Sequence, residues 1–213
     1  WYARYYGLSE GEAAAQIVPD YLTAKPKQAA LHMPKIDQPL KLLDLSPAQE
    51  KLFLAMQKSL KPAVLHGITG SGKTRIYSHL IADTLNAGKD VLLLYPEIAL
   101  TSQIVSEISK HAPVFVFHSQ LTNTERSQLW YQIIHSHDPV VIIGPRSTLF
   151  LPYKHLGLII VDEAHETTYK QDSHPRYHGL YVAAGLANAH NAKLVIGSAT
   201  PPITETAHIL NRG

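Results

Sequence analysis

Three observations predict an α/β fold, a mostly parallel sheet sandwiched by helices with an extension at its N-terminus. First, short continuous apolar runs recur: Ala63-Val64-Leu65, Val91 to Leu94, Val114 to Phe117, Val140 to Ile143, Leu158 to Val161 and Leu194 to Ile196. Strands apolar at every position, rather than at alternate ones, belong to sheets covered on both faces. Second, helical patterns separate these runs, the alternation from which parallel sheets are built. Third, Gly67, Gly72, Lys73 and Thr74 fit G-x-x-x-x-G-K-[ST], placed directly after one apolar run and before a helical pattern.

Composition bounds the rest. The 213 residues allow one large domain or a domain with an appendage, and 45% hydrophobic residues suffice for a sizeable core. A net charge of +2 gives no general attraction to nucleic acid, so any DNA contact must come from local patches. Cysteine is absent, which excludes disulfides and cysteine-based zinc sites in this stretch and fits a cytoplasmic location. No apolar run approaches the roughly 18 residues of a membrane span. The start, Trp1-Tyr2-Ala3-Arg4, has neither an initiator methionine nor the form of a signal peptide, and reads as part of a longer chain. The 13 histidines include no H-E-x-x-H pair, and His135-Ser136-His137 alone is a weak metal signal.

Along the chain, residues 1–19 open with Trp1, Tyr2, Tyr5 and Tyr6, which could stack on bases beside Arg4 or pack against a neighbouring domain. Ser9 and Glu12 form a capping box for a short Ala-rich helix to Val18. Residues 20–44 carry Pro26, Pro34 and Pro39 and no lasting periodicity, and read as a linker. From residue 45 the main lobe begins. Ser46, Pro47 and Gln49 spell an N-cap, a proline at N1 and a capping-box partner at N3. Leu52, Phe53, Met56 and Leu60 give that helix its expected buried face. Gln49 has a second reading compatible with the first, since its amide can pair with both the N6 donor and the N7 acceptor of adenine. Further helices are expected from Arg75 to Ala87, closed by Gly88, and from Ile98 to His111. Two more follow, one capped by Thr122 and Glu125 and buried through Leu129, Trp130, Ile133 and Ile134, the other from Tyr177 to Ala189.

Ligands of such sheets sit at the carboxyl ends of the strands, where the chemistry-bearing residues fall. Gly67, Thr69, Gly70, Ser71 and Gly72 can turn backbone N–H groups inward as an anion nest at a helix N-terminus. Lys73 would reach the β- and γ-phosphates of ATP, and Thr74 would ligate Mg²⁺. The run Leu158 to Val161 ends in Asp162-Glu163-Ala164-His165. Asp162 suits the Mg²⁺ shell, and Glu163 suits the proton of an attacking water. His165 can hydrogen-bond to a neighbouring motif. Gly197-Ser198-Ala199-Thr200 closes the last strand with small hydroxyl residues able to bridge two loops, or simply to turn before Pro201-Pro202.

Asp-Glu-Ala-His after a phosphate loop, followed by Gly-Ser-Ala-Thr, resembles the first, RecA-like motor lobe of superfamily-two helicases. The finer pattern resembles the PriA family of bacterial replication-restart helicases. It comprises Pro96 to Thr101, His118-Ser119, Gly144-Pro145-Arg146-Ser147, Leu156-Gly157-Leu158, Tyr169-Lys170-Gln171 and Arg176-Tyr177-His178. The resemblance implies an ATP- and Mg²⁺-dependent 3′-to-5′ DNA translocase acting at stalled forks, with primosome and single-strand-binding proteins as partners. It implies DNA contacts from Thr101, Arg146 and Ser147, and a DNA-sensing aromatic loop carrying Tyr169, Lys170, Arg176 and Tyr177. It assigns Gly197 to Thr200 to coupling hydrolysis with movement, and residues 1–19 to the end of a DNA-binding region.

The chain departs from the pattern in three places. Ala164 stands where the family usually has a second Glu, at a position that holds no metal. Residues 20–44 are too short for the winged-helix domain expected there, which puts fork docking in question. The family's second motor lobe, its arginine finger and its cysteine zinc module are not among these 213 residues, and the resemblance implies zinc only in a downstream part. The 213 residues alone are accordingly expected to bind ATP but hydrolyse it poorly. Alternatives are a RecG-like or restriction-type translocase, or a nucleotide-gated DNA-binding module.

Overall fold

The computed structural model describes residues 2–17, 42–68, 70–96, 108–109, 114–174 and 176–212. Apart from residues 108–109, the expected helix from Ile98 to His111 lies outside the described residues, as does most of the expected linker. Two short helices open the chain, α1 (Tyr2–Tyr6) and α2 (Glu10–Ile17). The Ser9–Glu12 box caps α2, with Glu12 accepting from both the N–H and the hydroxyl of Ser9 at 2.8 Å.

The main lobe starts at α3 (Pro47–Gln57). Ser46 and Gln49 exchange both capping-box hydrogen bonds, an arrangement worth about 1 kcal/mol to a helix. The buried face of α3 is narrower than its pattern predicts. Met56 is buried and Phe53 half-buried, while Leu52 and Leu60 are exposed, because α3 packs against one neighbouring helix and Leu60 lies beyond its end.

Then follow β1 (Ala63–His66), α4 (Lys73–Asn86), β2 (Asp90–Leu94), β3 (Val114–Val116), α5 (Asn123–His135), β4 (Val141–Gly144) and β5 (Leu156–Val161). Beyond them lie a two-stranded antiparallel ribbon, β6 (Lys170–Gln171) with β7 (Tyr177–His178), then α6 (Gly179–His190), β8 (Lys193–Ser198) and α7 (Ile203–Arg212). Tyr177 and His178, expected in a helix, instead close the ribbon. The helix starts only at Gly179, where the His178 ring accepts the N–H of Leu180 as N-cap.

The large sheet runs β1-β8-β5-β2-β4-β3, and every pairing in it is parallel. Successive residues of β2, β4, β5 and β8 point to opposite faces, and both faces are dry. Val91, Leu93, Ile143, Ile160 and Val195 pack with Met56, Ile76 and Leu80 beneath α3 and α4. Leu92, Leu94, Ile142, Ile159 and Ile196 pack with residues of α5, α6 and α7, including Trp130, Leu180 and Ile209. This double cover is why the strands read as unbroken apolar runs. It also places β8 between β1 and β5, so the loops after these three strands meet at one edge. No helix among the described residues is long and apolar enough to cross a membrane.

Candidate functional site

The loop between β1 and α4 is shaped by glycine. Gly70 and Gly72 have φ of +80° and +85°, a region closed to most side chains, and Gly72 also abuts the Gln49 amide, leaving no room for a Cβ. The N-terminus of α4 therefore opens onto a concave backbone, a cradle for anionic oxygens. Lys73, only 7% exposed, folds back into this cradle and donates to the carbonyls of Gly67 at 2.8 Å and Ile68 at 3.3 Å. Thr74 follows half-buried, and Thr69 lies outside the described residues. Gln49 reaches the same loop. Its Oε1 accepts the Ser46 N–H at 2.9 Å, and its Nε2 lies 3.4 Å from the Ser71 carbonyl and 3.5 Å from that of Gly72. One Oε1 lone pair remains, while both Nε2 N–H groups face loop carbonyls at long range, so pairing with a base would exchange one of these contacts.

The tip of β5 faces this cradle. Lys73 Nζ and Glu163 Oε1 stand 3.9 Å apart. Asp162 is 4% exposed, and its Oδ1 accepts the Tyr77 hydroxyl at 2.8 Å. Burial pushes the Asp162 carboxyl above its usual range, against the opposing effect of hydrogen bonds from Tyr77 and the Glu163 N–H. A divalent cation beside it would reverse that shift. Burial, with Asp162 alongside, drives the Tyr77 phenol far above its ordinary value and keeps it a donor. Glu163 has φ of +46°, the left-handed region that costs a non-glycine residue about 1–2 kcal/mol. The turn is held there by Ala164 N–H to Gly197 O at 2.9 Å and Glu166 N–H to Glu163 O at 2.9 Å. Strained backbone of this kind clusters at active sites, ligand clamps and switch regions.

The end of β8 joins the two. Gly67 N–H donates to Ser198 O at 3.1 Å, and the His66 ring lies 2.9 Å from Ala199 O. On the other side, His165 Nδ1 lies 2.9 Å from Ser198 Oγ, the contact between motifs that the sequence led us to expect. Thr200 N–H also donates to Ser198 Oγ at 3.0 Å.

The residues fit a magnesium–nucleotide group. The cradle, the lysine and a buried acceptor converge, and Mg²⁺ ordinarily takes one or two carboxylates plus phosphate oxygens and water rather than a full protein cage. Among the described residues no group of three or more His, Cys, Asp and Glu side chains could hold a metal by itself.

A second cleft, of about 290 Å³, opens beside the ends of β3 and β4 and is lined by Pro96, Phe117, Ser119, Arg146, Ser147 and Gln171 among others. Ser147 is exposed at it. Arg146, half-buried, donates to the carbonyls of Thr168 and, at 3.3 Å, Lys170, so part of its guanidinium holds the ribbon. Lys170 and Arg176 are exposed, Arg176 donating to Asp172 O at 3.1 Å. Thr101 lies outside the described residues.

Tyr169 and Tyr177, expected at DNA, sit in the wall of this cleft but are buried there, which corrects the expectation of rings free to stack on bases. They are 1% and 4% exposed. The Tyr169 hydroxyl donates toward Asp162 O at 2.6 Å and Leu94 O at 3.2 Å, and the Tyr177 ring packs edge-on against Phe150. One tyrosine, Tyr77, went unnoticed in the sequence, and Tyr6, expected to stack on bases or pack against a neighbouring domain, bonds to the ribbon. Tyr77 lies one turn after Lys73, on the inward face of α4, where a phenol needs a polar partner. Tyr6 of α1 grips the ribbon, accepting the His178 N–H at 3.0 Å.

Residues 46–209 match the DEAD/DEAH box helicase family. The chain is similar to the replication restart protein PriA of Rickettsia conorii, 38% identical over 216 residues, covering 100% of this chain and 33% of that protein. It is similar also to the PriA of Bacillus subtilis, 40% identical over 172 residues, covering 78% of this chain and 21% of that protein. The chain thus spans about a third of the length of its Rickettsia relative. Among solved structures it is similar to RecG bound to a three-way DNA junction, with TM-score 0.57, 22% identity and coverage of 79% of this chain and 22% of that one. The Pyrococcus furiosus Hef helicase domain gives TM-score 0.54 and 21% identity, covering 77% of this chain and 36% of that one. These likenesses make the sheet and its helices a RecA-like lobe.

Proposed function

The chain belongs to the DEAD/DEAH box helicase family, and from that premise we propose that it is the first motor lobe of a PriA-type, ATP-driven 3′-to-5′ DNA helicase of replication restart. The observation that carries this reading is the meeting of Lys73 with Glu163 at 3.9 Å over the glycine cradle. Identities of 35–42% to curated PriA proteins support the specific branch.

In this reading the cradle N–H groups bind the phosphates and Gln49 meets the adenine. Lys73 exchanges the carbonyls of Gly67 and Ile68 for the β- and γ-oxygens. Thr74 and Asp162 hold Mg²⁺, which neutralises charge on the phosphates when bound. Glu163 takes the proton of water as the water oxygen bonds to the terminal phosphorus and the bond to ADP breaks. His165 and residues 197–200 pass the state of this site to neighbouring motifs. Arg146, Ser147, Lys170 and Arg176 meet DNA phosphates, contacts that position a strand without reading its sequence. Thr101 is proposed for the same surface. Residues 1–19 end a DNA-binding region, residues 20–44 link it to the lobe from 45 onward, and the whole protein works in the cytoplasm with primosome and single-strand-binding proteins.

The test is ATP turnover by the whole protein with and without forked DNA, beside Glu163→Gln. DNA-stimulated turnover, lost about 100-fold or more in the variant, is expected of a general base. Turnover indifferent to DNA removes the helicase reading. The lobe alone should bind Mg-ATP yet hydrolyse it slowly, because a second lobe ordinarily supplies transition-state charge.

A further inference from the structure

Tyr77 is 2% exposed, and its ring lies within the apolar cluster beneath α3 and α4. A phenylalanine would fill that space equally well. What distinguishes tyrosine is the hydroxyl, which donates to Asp162 Oδ1 at 2.8 Å. The same hydroxyl abuts Gly197. A Cβ built on Gly197 would overlap the Tyr77 hydroxyl and come within 2.9 Å of Asp162 Oδ1. Gly197 has no left-handed φ, so backbone conformation does not demand glycine there. Space for the Tyr77–Asp162 pair does.

We propose that Tyr77 is a positioning residue for the divalent cation of the nucleotide site. Its hydroxyl fixes one oxygen of Asp162 so that the carboxylate meets the cation in a single orientation, and Gly197 is glycine to admit that hydroxyl. The terminal torsion of an aspartate is broad and roughly two-fold, so packing alone sets it poorly. Mg²⁺ demands near-ideal octahedral geometry and suffers from a misplaced ligand. Partners that orient a metal's ligands are commonly worth 10–100-fold in affinity. The arrangement joins α4, the tip of β5 and the end of β8 through one phenol, so the loop after β8 senses the cation's ligand directly. This inference rests on the proposed role of Asp162 as a Mg²⁺ ligand.

The experiment uses the whole protein and a fluorescent ATP analogue at fixed concentration, with Mg²⁺ titrated from zero. Tyr77→Phe is expected to raise the Mg²⁺ midpoint by roughly 10–100-fold while leaving analogue binding in EDTA unchanged. Excess Mg²⁺ should restore its ATP turnover toward the parent value. Gly197→Ala should shift the midpoint in the same direction, and adding Tyr77→Phe to it should move the midpoint little further. Asp162→Asn separates the two levels. If it leaves the midpoint in place, Asp162 holds no cation and the site reading falls, taking this inference with it. If Asp162→Asn moves the midpoint and Tyr77→Phe does not, changing only the thermal unfolding midpoint, Tyr77 is a packing residue and this inference alone is overturned.

Discussion

His165 Nδ1 stands 2.9 Å from the hydroxyl oxygen of Ser198, joining the tip of β5 to the end of β8. His165 also lies 3.5 Å from Glu163, so the proposed general base is one side chain away from the bridge. Ser198 is fully buried, and among the described residues its hydroxyl bonds to His165 and the Thr200 N–H rather than to the phosphate cradle. Removing that hydroxyl in Ser198→Ala breaks the bridge to His165 and the bond from Thr200 while sparing Lys73 and Glu163. Each bond is worth about 1 kcal/mol, enough for a roughly tenfold effect. DNA unwinding should fall about tenfold or more, while DNA-stimulated ATP turnover falls much less. Equal losses in the two assays would place Ser198 in the chemistry instead of the coupling.

Tyr169 joins the ribbon to the same strand from the face that carries Leu92, Leu94 and Ile159. Its hydroxyl serves two buried carbonyls, Asp162 O at 2.6 Å and Leu94 O at 3.2 Å. Tyr169→Phe keeps the packing and takes the phenol donor from the Asp162 carbonyl, while Leu94 O keeps the Asp162 N–H at 3.0 Å, a loss of about 1–2 kcal/mol in folding free energy. Urea unfolding followed by circular dichroism measures it. Affinity for single-stranded DNA should be unchanged, because the ring is enclosed. Parent stability combined with weakened DNA binding would return Tyr169 to the DNA-facing role.

Glu163 trades stability for placement. Its φ of +46° is one that glycine adopts freely. Glu163→Gly should relieve about 1 kcal/mol of strain, offset in part by the loss of the contact with Lys73. Thermal unfolding should then occur at or near the parent temperature while ATP turnover is lost. A strongly destabilised variant would mean that the carboxylate, and not the turn, holds this segment.

Most of the sheet was legible because burial on both faces imposes a pattern that few other structures share. Val91 to Leu94 and Leu158 to Val161 are apolar at every position and fall in strands at every position. The caps at Ser46 and Thr122 were legible for a different reason, since side chain and backbone pair within four residues. What failed were choices decided across the fold. Tyr169 and Tyr177 sit in a stretch whose polar and aromatic mixture suits nucleic acid, yet their rings are claimed by Leu94, Asp162 and Phe150 from distant elements. Leu52 and Leu60 had the spacing of a buried face, but among the described residues no surface covers them. Tyr77 was missed because a helix pattern records which residues turn inward, not what a single hydroxyl meets there.

His178 makes the ribbon sensitive to pH. Its ring accepts the Leu180 N–H at the start of α6 and faces Glu205 of α7 at 3.8 Å, with the Lys170 ammonium on the other strand of the ribbon. Burial lowers its pKa, outweighing Glu205, which acts to raise it; Lys170 adds to the lowering. A histidine depressed in the folded state takes up protons more readily once unfolded, so its stabilising contribution is complete above its ordinary value of about 6.5. That contribution is lost as pH falls from there toward the lower folded value. The unfolding temperature should therefore drop as pH is lowered from 7.5 to 5.5. His178→Asn keeps a side-chain acceptor for the N-cap but cannot titrate in this range. Its unfolding temperature should fall less over the same interval. Parallel curves for the two proteins would assign the pH dependence to other groups and leave His178 as a cap alone.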